Sequence, residues 1–299
     1  MTLPTGHLLG VAAALASALA WAVGSILFRR IGERASPSAM NLVKSLVGLV
    51  LLGGAVLVTG VTRVDAESLW RLAASGVLGI AVGDTLFFTA LVRLEPRLTL
   101  LLATVGHVFT VVLAAVVFDE RPGALAWVGI ALVVAGVGWV LQAGAEPGQV
   151  SGEGRTLGLV CGVLSAFATS TGLLLAKTGV AEVSTLEATW IRLGAGVLGV
   201  ALWSAARGQL AADLGAVRVP GLVREIAVAV AVVMFGGFWL SLVSLKYTHA
   251  SVATALAATE PIFILPLARF WLGERVGARA IVGACGAVAG VVLILLAMP

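Results

Sequence analysis

The chain has 299 residues, 60% hydrophobic and 11% charged, with a mean hydropathy of +1.09. A soluble globular domain carries about 25% charge, so this balance excludes a water-exposed fold and fits a chain whose outside faces lipid. The net charge of +4 and pI near 9.7 do not point to nucleic acid, because the basic residues stand mostly at the ends of apolar runs and report topology.

Apolar runs near the ~20 residues that cross a bilayer recur at 7–28, 38–60, 69–92, 98–118, 124–143, 155–176, 185–205, 223–245, 250–272 and 278–298. They predict an all-α membrane protein of ten transmembrane helices. The first run has an Ala18-Leu19-Ala20 site but no basic residues before it and Arg29-Arg30 directly after it, so it reads as a retained span. On its face Ser17, Trp21, Ser25 and Phe28 recur at helical spacing.

Span two carries Lys44 and span three Asp84, on a face with Phe88 and Leu91. Span four carries His107 between Thr104 and Thr110. Span seven carries Arg192, and span eight Phe235 and Trp239. Span nine carries Glu260, Pro261, Pro266 and Arg269. Cys161 and Cys285 lie inside apolar runs without zinc or redox spacing and read as small core residues. Gly79/Gly83, Gly158/Gly162 and Gly286/Gly290 have the spacing that lets helices approach closely. Trp70, Trp127 and Trp271 read as interfacial anchors.

The two halves are related. A shift of 148 places Gly6, Leu9, Gly10, Ser17, Ala18, Ala20, Gly24 and Leu27 on Gly154, Leu157, Gly158, Ser165, Ala166, Ala168, Gly172 and Leu175, and Lys44 on Arg192. A shift of 154 places Glu120, Arg121, Gly123, Gly129 and Gly136 on Glu274, Arg275, Gly277, Gly283 and Gly290. Residues 1–143 and 154–299 thus form two five-helix repeats joined by a linker at 144–153. Five is odd, so tandem copies enter the membrane in opposite directions, an arrangement transporters use for alternating access.

These repeats, their short acidic-basic turns leading into small-residue helices (FDERPGALAWVGIALVVAG and WLGERVGARAIVGACGAVAG), and ATEPIFILP at 258–266 resemble the drug/metabolite transporter superfamily, EamA family. The resemblance covers essentially the whole chain. It implies alternating-access transport of a small metabolite, often export of amino acids or related solutes, and it leaves the substrate open. One departure is that Gly106-His107 stands where the second repeat has Glu260-Pro261 and where a proline is usual.

Ionisable groups at membrane depth cost about 2.5–3.5 kcal/mol on insertion scales and usually face a cavity or a partner. Lys44, Arg192 and Arg269 lie on the order of 5–10 Å from a span end and can snorkel, whereas Asp84, His107 and Glu260 lie roughly 12–15 Å from either end. Asp84 aligns with Phe238, so this acid belongs to one half only. It is a candidate for proton coupling or for holding a substrate ammonium group, the alternative being a structural acid bonded to Ser or Thr or paired with Lys44 or Arg192.

Glu260 beside Pro261, with Pro266 following, predicts a loosened helix where transporters place substrate or ion contacts; the alternative is a packing kink. His107 is either a proton-exchanging group or a hydrogen-bonded structural residue. Lys44 and Arg192 either contact a substrate carboxylate or phosphate, or snorkel or pair with the acids. Trp21, Ser25, Phe235 and Trp239 are either cavity wall or packing surface.

The reading is therefore a secondary transporter of an amino-acid-like or related organic solute in a cell membrane (the cytoplasmic membrane in a bacterium), with export the expected direction and protons a candidate coupling ion. Alternatives are a passive channel, a structural membrane subunit or, more remotely, an intramembrane enzyme, for which no HExxH, GxSxG or aspartyl-pair pattern speaks. No GxxxxGK[ST] loop for ATP is present. The expected partners are a small molecule and lipid, with no cofactor, metal or nucleic acid; the oligomeric state, monomer or homodimer, stays open. The odd-numbered connections hold eleven Lys and Arg and the even-numbered ones five, which puts the odd ones in the cytoplasm and both termini outside. The family resemblance implies cytoplasmic termini.

Overall fold

Regular structure begins where the sequence offers helix starts. Asp65 caps Ala66–Gly76 by accepting the N–H of Ser68 at 2.9 Å, and Ser184 caps Thr185–Ala206 through the N–H of Glu187. Pro96 lies in the first turn after Glu95, where its missing N–H needs no partner. The computed structural model describes residues 5–59, 64–117, 123–141, 152–179, 183–247, 256, 258–273 and 276–297, and all regular structure among them is helical.

In the first half α1 spans Thr5–Ile31 and α2 Pro37–Thr59. α3 (Ala66–Gly76) continues through a π-helical segment, Val77–Asp84, into α4 (Thr85–Arg93). α5 (Pro96–Ala103) and α6 (Val105–Val117) are separated by a turn at Thr104, and α7 is Ala124–Leu141. The second half has α8 (Glu153–Gly179), α9 (Thr185–Ala206) and a short α10 (Leu210–Gly215). α11 (Leu222–Ala231) then passes through a second π-helical segment, Val232–Trp239, into α12 (Leu240–Tyr247), before α13 (Glu260–Trp271) and α14 (Ala278–Leu296).

Seven helical stretches among the described residues are long and apolar enough to cross a membrane: Leu8–Ile31, Pro37–Val58, Ala66–Arg93, Pro96–Val117, Glu153–Ala176, Leu186–Ala206 and Ala278–Leu296. Ala124–Val140 is a shorter apolar helix. Large apolar side chains such as Leu57 (79% exposed) and Phe270 (81%) project outward, which suits lipid and not water. The chain is an integral multi-pass membrane protein.

The chain forms two compact units: Met1–Leu27, Leu94–Thr156 and Ala231–Pro299 make the first, and Phe28–Arg93 with Leu157–Val230 the second. Each unit therefore mixes both sequence repeats. In the first, α7 and α14 pack at glycine level. A Cβ on Gly129 would lie 2.5 Å from the Gly290 carbonyl oxygen, and one on Gly136 2.7 Å from that of Gly283. The expected small-residue packing is thus present at Gly290, but its partners are Gly129 and Val133, while Gly286 has only Gly136 Cα at 3.8 Å. In the second unit a Cβ on Gly172 of α8 would lie 2.9 Å from Gly79 of the first π segment.

Span nine is interrupted just before Glu260, in line with a loosened helix and not with a simple packing kink. Ala258 and Thr259 form a turn, and α13 starts at Glu260 with Pro261 in its first turn. Pro261 thus opens a new helix where no N–H is required, and only Pro266 lies inside it. Span four is interrupted at Thr104 without any proline. In both places a threonine hydroxyl donates to the carbonyl three residues earlier, Thr104 to Leu101 and Thr259 to Leu256, each at 2.6 Å. Residues 119–122, 144–151 and Glu274-Arg275 of the quoted turns and linker lie outside the described residues.

Candidate functional site

In the second unit, Lys44 of α2 and Asp84 at the end of the π segment form an ion pair, with side chains 14% and 31% exposed. The Lys44 ammonium also lies 5.5 Å from the centre of the Phe88 ring, which packs against Phe28 at 5.0 Å and Phe87 at 5.7 Å. One turn before Lys44, Asn41 donates to the Ile80 carbonyl at 2.7 Å and the Thr85 hydroxyl at 2.9 Å. Those partners flank Asp84 on both sides in sequence, so Asn41 fixes the backbone that carries the acid.

Arg192 of α9 enters the same region. Its Nη2 would lie 3.5 Å from a Cβ on Gly79, and Asp84 is the acid whose charge acts on it. Its Nε is buried without a hydrogen-bond partner among the described residues, an arrangement that costs free energy unless a ligand completes it. Lys44, Asp84 and Arg192, whose pairing the sequence offers as one alternative, therefore come together.

The first unit holds the other candidates. Glu260 is half-buried at the start of α13, where the helix dipole favours a negative charge. His107 places Nδ1 3.3 Å from the Thr104 carbonyl at the break in span four. Ser25 is buried and its hydroxyl donates to the Ala22 carbonyl of its own helix at 2.8 Å. The Trp21 ring edge lies against Gly237, where a Cβ would approach to 3.0 Å. The side chains of Phe235 and Trp239 lie outside the described residues.

The sequence reading missed a symmetric device. Ser165 of α8 donates to the Gly83 carbonyl at 2.8 Å, and Ser17 of α1 donates to the Gly237 carbonyl at 2.7 Å. Both acceptors lie in π-helical segments, whose wider turns are found mostly at functional sites. The signal was present, since a shift of 148 pairs the serines and one of 154 the glycines. Asn41 and the buried Asp213, which accepts from Ser36 at 2.8 Å and Ser204 at 2.6 Å, were also missed. No motif marks either residue.

The profile of the EamA-like transporter family matches residues 8–142 and again 156–296. The chain belongs to the EamA-like transporter family. The two matches correspond to the two repeats, so this EamA-like protein is a membrane transporter of the drug/metabolite type. A solved structure described only as "Crystal structure of protein" covers 98% of this chain, which in turn covers 97% of it, at 19% identity and a TM-score of 0.59; that likeness concerns the fold alone. No curated protein matches the chain.

Proposed function

We propose that the protein is a ten-span, alternating-access exporter of a small zwitterionic or related organic solute in the cell membrane, with Lys44, Asp84 and Arg192 as its charged contact group. The observation that carries this reading is the Lys44–Asp84 pair beside the unpartnered Arg192 Nε. A substrate carboxylate would complete Arg192, whose planar fork suits it, while a substrate ammonium would take the place of Lys44 on Asp84. Protonation of Asp84 would release Lys44 equally well, and that is the physical basis for proton linkage. Glu260, placed where a helix begins after a break, is the second acid of the cycle, and His107 sits at the corresponding break of the first repeat.

The test is counterflow in proteoliposomes. Saturable exchange that is lost in Asp84→Asn and in Arg192→Gln supports the reading. Equal flux in these variants removes the assigned roles, and non-saturable flux makes the protein a channel.

A further inference from the structure

The connection between the seventh and eighth spans, in the second unit, is folded with its acid inward and its apolar side chains outward. α10 (Leu210–Gly215) buries Asp213, while Leu214 is 40% exposed and Val217, in the single 3-10 turn that follows, 47%. Two anchors hold this arrangement. The Asp213 carboxylate accepts the hydroxyl of Ser36, just before α2, at 2.8 Å and that of Ser204, in the last turn of α9, at 2.6 Å. Arg34 donates to the Pro220 carbonyl and to Glu225, both at 2.7 Å, and the buried Leu222 and Ile226 seat the start of α11. The polar anchors face the protein, so the outward position of Leu214 and Val217 is set by the fold.

The same connection is basic. Arg207 directly follows α9, and its guanidinium lies 5.8 Å from the centre of the ring of Trp203, an exposed tryptophan in the last turn of that span. Arg218 and Arg224 are exposed. Among the described residues none of these three arginines forms an ion pair. The two acids between residues 207 and 225 are already engaged, Asp213 by the serines and Glu225 by Arg34.

We propose that this connection is a docking surface for anionic phospholipid headgroups. Leu214 and Val217 enter the boundary between headgroups and acyl chains, as the apolar side of an interfacial helix does, and Arg207, Arg218 and Arg224 reach the lipid phosphates. Trp203 marks the level, since tryptophan at a span end favours the membrane–water interface. A soluble acidic partner would match the arginines and leave Leu214 and Val217 against water, whereas a lipid leaflet satisfies both sets of residues.

Two measurements on the full chain test this. In the first, Cys161 and Cys285 are replaced by alanine and a nitroxide is attached at Leu214→Cys in nanodiscs containing phosphatidylglycerol, with Leu202→Cys, exposed on α9, as the in-bilayer reference. The expected label is reached by oxygen in preference to a water-soluble nickel chelate. In the second, thermal unfolding in uncharged detergent at constant ionic strength is titrated with short-chain phosphatidylglycerol or phosphatidylcholine. Phosphatidylglycerol should raise Tm saturably and at lower concentration. Arg218→Gln and Arg224→Gln should each weaken that response about fivefold, Arg218→Lys should preserve it, and Arg71→Gln, whose charge is already taken by Glu67, should leave it unchanged. The proposal is overturned if nickel reaches the Leu214→Cys label in preference to oxygen, if the two lipids act alike, or if the two glutamine variants match Arg71→Gln. A label shielded from both reagents, together with a dimer in native mass spectrometry, also overturns it and makes a second copy of the chain the occupant. Should the glutamine variants not purify, the label and the parent chain decide, because the phosphatidylglycerol response must weaken as sodium chloride is raised.

Discussion

The Lys44 ammonium sits between the Asp84 carboxylate and the Phe88 ring, so deleting either charge leaves the other half-buried in an apolar setting. A fully buried pair broken on one side costs ~3–5 kcal/mol, and the 31% exposure of Asp84 lowers the expectation here to about 1–3 kcal/mol. Lys44→Met and Asp84→Leu should each destabilise by that amount. The double variant should cost less than the sum by about 1 kcal/mol or more, read as a double-mutant cycle from unfolding in detergent; strict additivity would mean the two groups do not interact. Asp65, outside the spans, offers a pH test. Hydrogen bonds from the Ser68 side chain and backbone hold its carboxyl below the ordinary carboxylate range. A depressed pKa contributes stability above the unfolded value, near 3.9, and that contribution disappears as pH falls through the folded value. Hydrogen exchange at the start of α3 should therefore be faster in Asp65→Ala than in the parent at neutral pH, and the two should converge below about pH 3. A difference that persists in acid would assign the effect to something other than the cap.

At the level of elements, the π-helical segments of the two repeats depend on serines from α8 and α1. Ser165→Ala and Ser17→Ala would each leave a carbonyl, Gly83 or Gly237, short of a buried donor, a loss of about 1–3 kcal/mol. The two share no partner, so their effects should add within about 0.5 kcal/mol, and a neutral Ser165→Ala would remove the hydroxyl from the account of the π turn. The contact of α7 with α14 behaves differently, because there is no space to fill. Gly136→Val would drive side-chain atoms into the Gly283 backbone and should cost about 1–3 kcal/mol by overpacking, whereas Gly138→Ala, with nothing within 4 Å of its Cβ position, should be nearly silent in the same melt. The difference between these elements explains what the sequence reveals. Spans, repeats and glycine contacts follow from hydropathy and recurrence, which are properties of local composition. The break at Thr104 has no proline to announce it, and its threonine-to-Leu101 bond is one that any helical threonine can make. The π turns have no compositional signature of their own, and only the repeat-related Ser17/Ser165 and Gly83/Gly237 mark where they fall. Lys44, Asp84 and Arg192 are each visible as costly charges and their pairing as one alternative, but which partners meet depends on α2, α9 and the π segment packing together.

Across the whole molecule, the connections sort by charge in a way that each unit repeats internally. In the second unit Arg34 bonds Glu225 and the Pro220 carbonyl at 2.7 Å, and Ser36 bonds Asp213, which joins the first connection to the seventh. In the same unit Arg71 reaches the Thr178 carbonyl at 3.2 Å, which joins the second connection to the sixth. In the first unit Arg97, Arg155 and Arg279, from the third, fifth and ninth connections, line one cavity. Among the described residues these contacts, each within one unit, join odd connections to odd ones and the second to the sixth. The eleven-to-five excess of Lys and Arg in the odd connections predicts that these connections lie in the cytoplasm, against the cytoplasmic termini that the family resemblance implies. With Cys161 and Cys285 replaced by alanine, a membrane-impermeant maleimide added to intact cells should label Ala66→Cys, at the exposed start of α3, and should label Arg218→Cys only after permeabilisation. The reverse pattern would put the arginine-rich end outside and the termini in the cytoplasm, showing that the contacts which join these arginines to acids and carbonyls outweigh their pull on insertion. Labelling of both positions in intact cells would break the odd–even sorting itself, and with it the inverted relation of the two repeats.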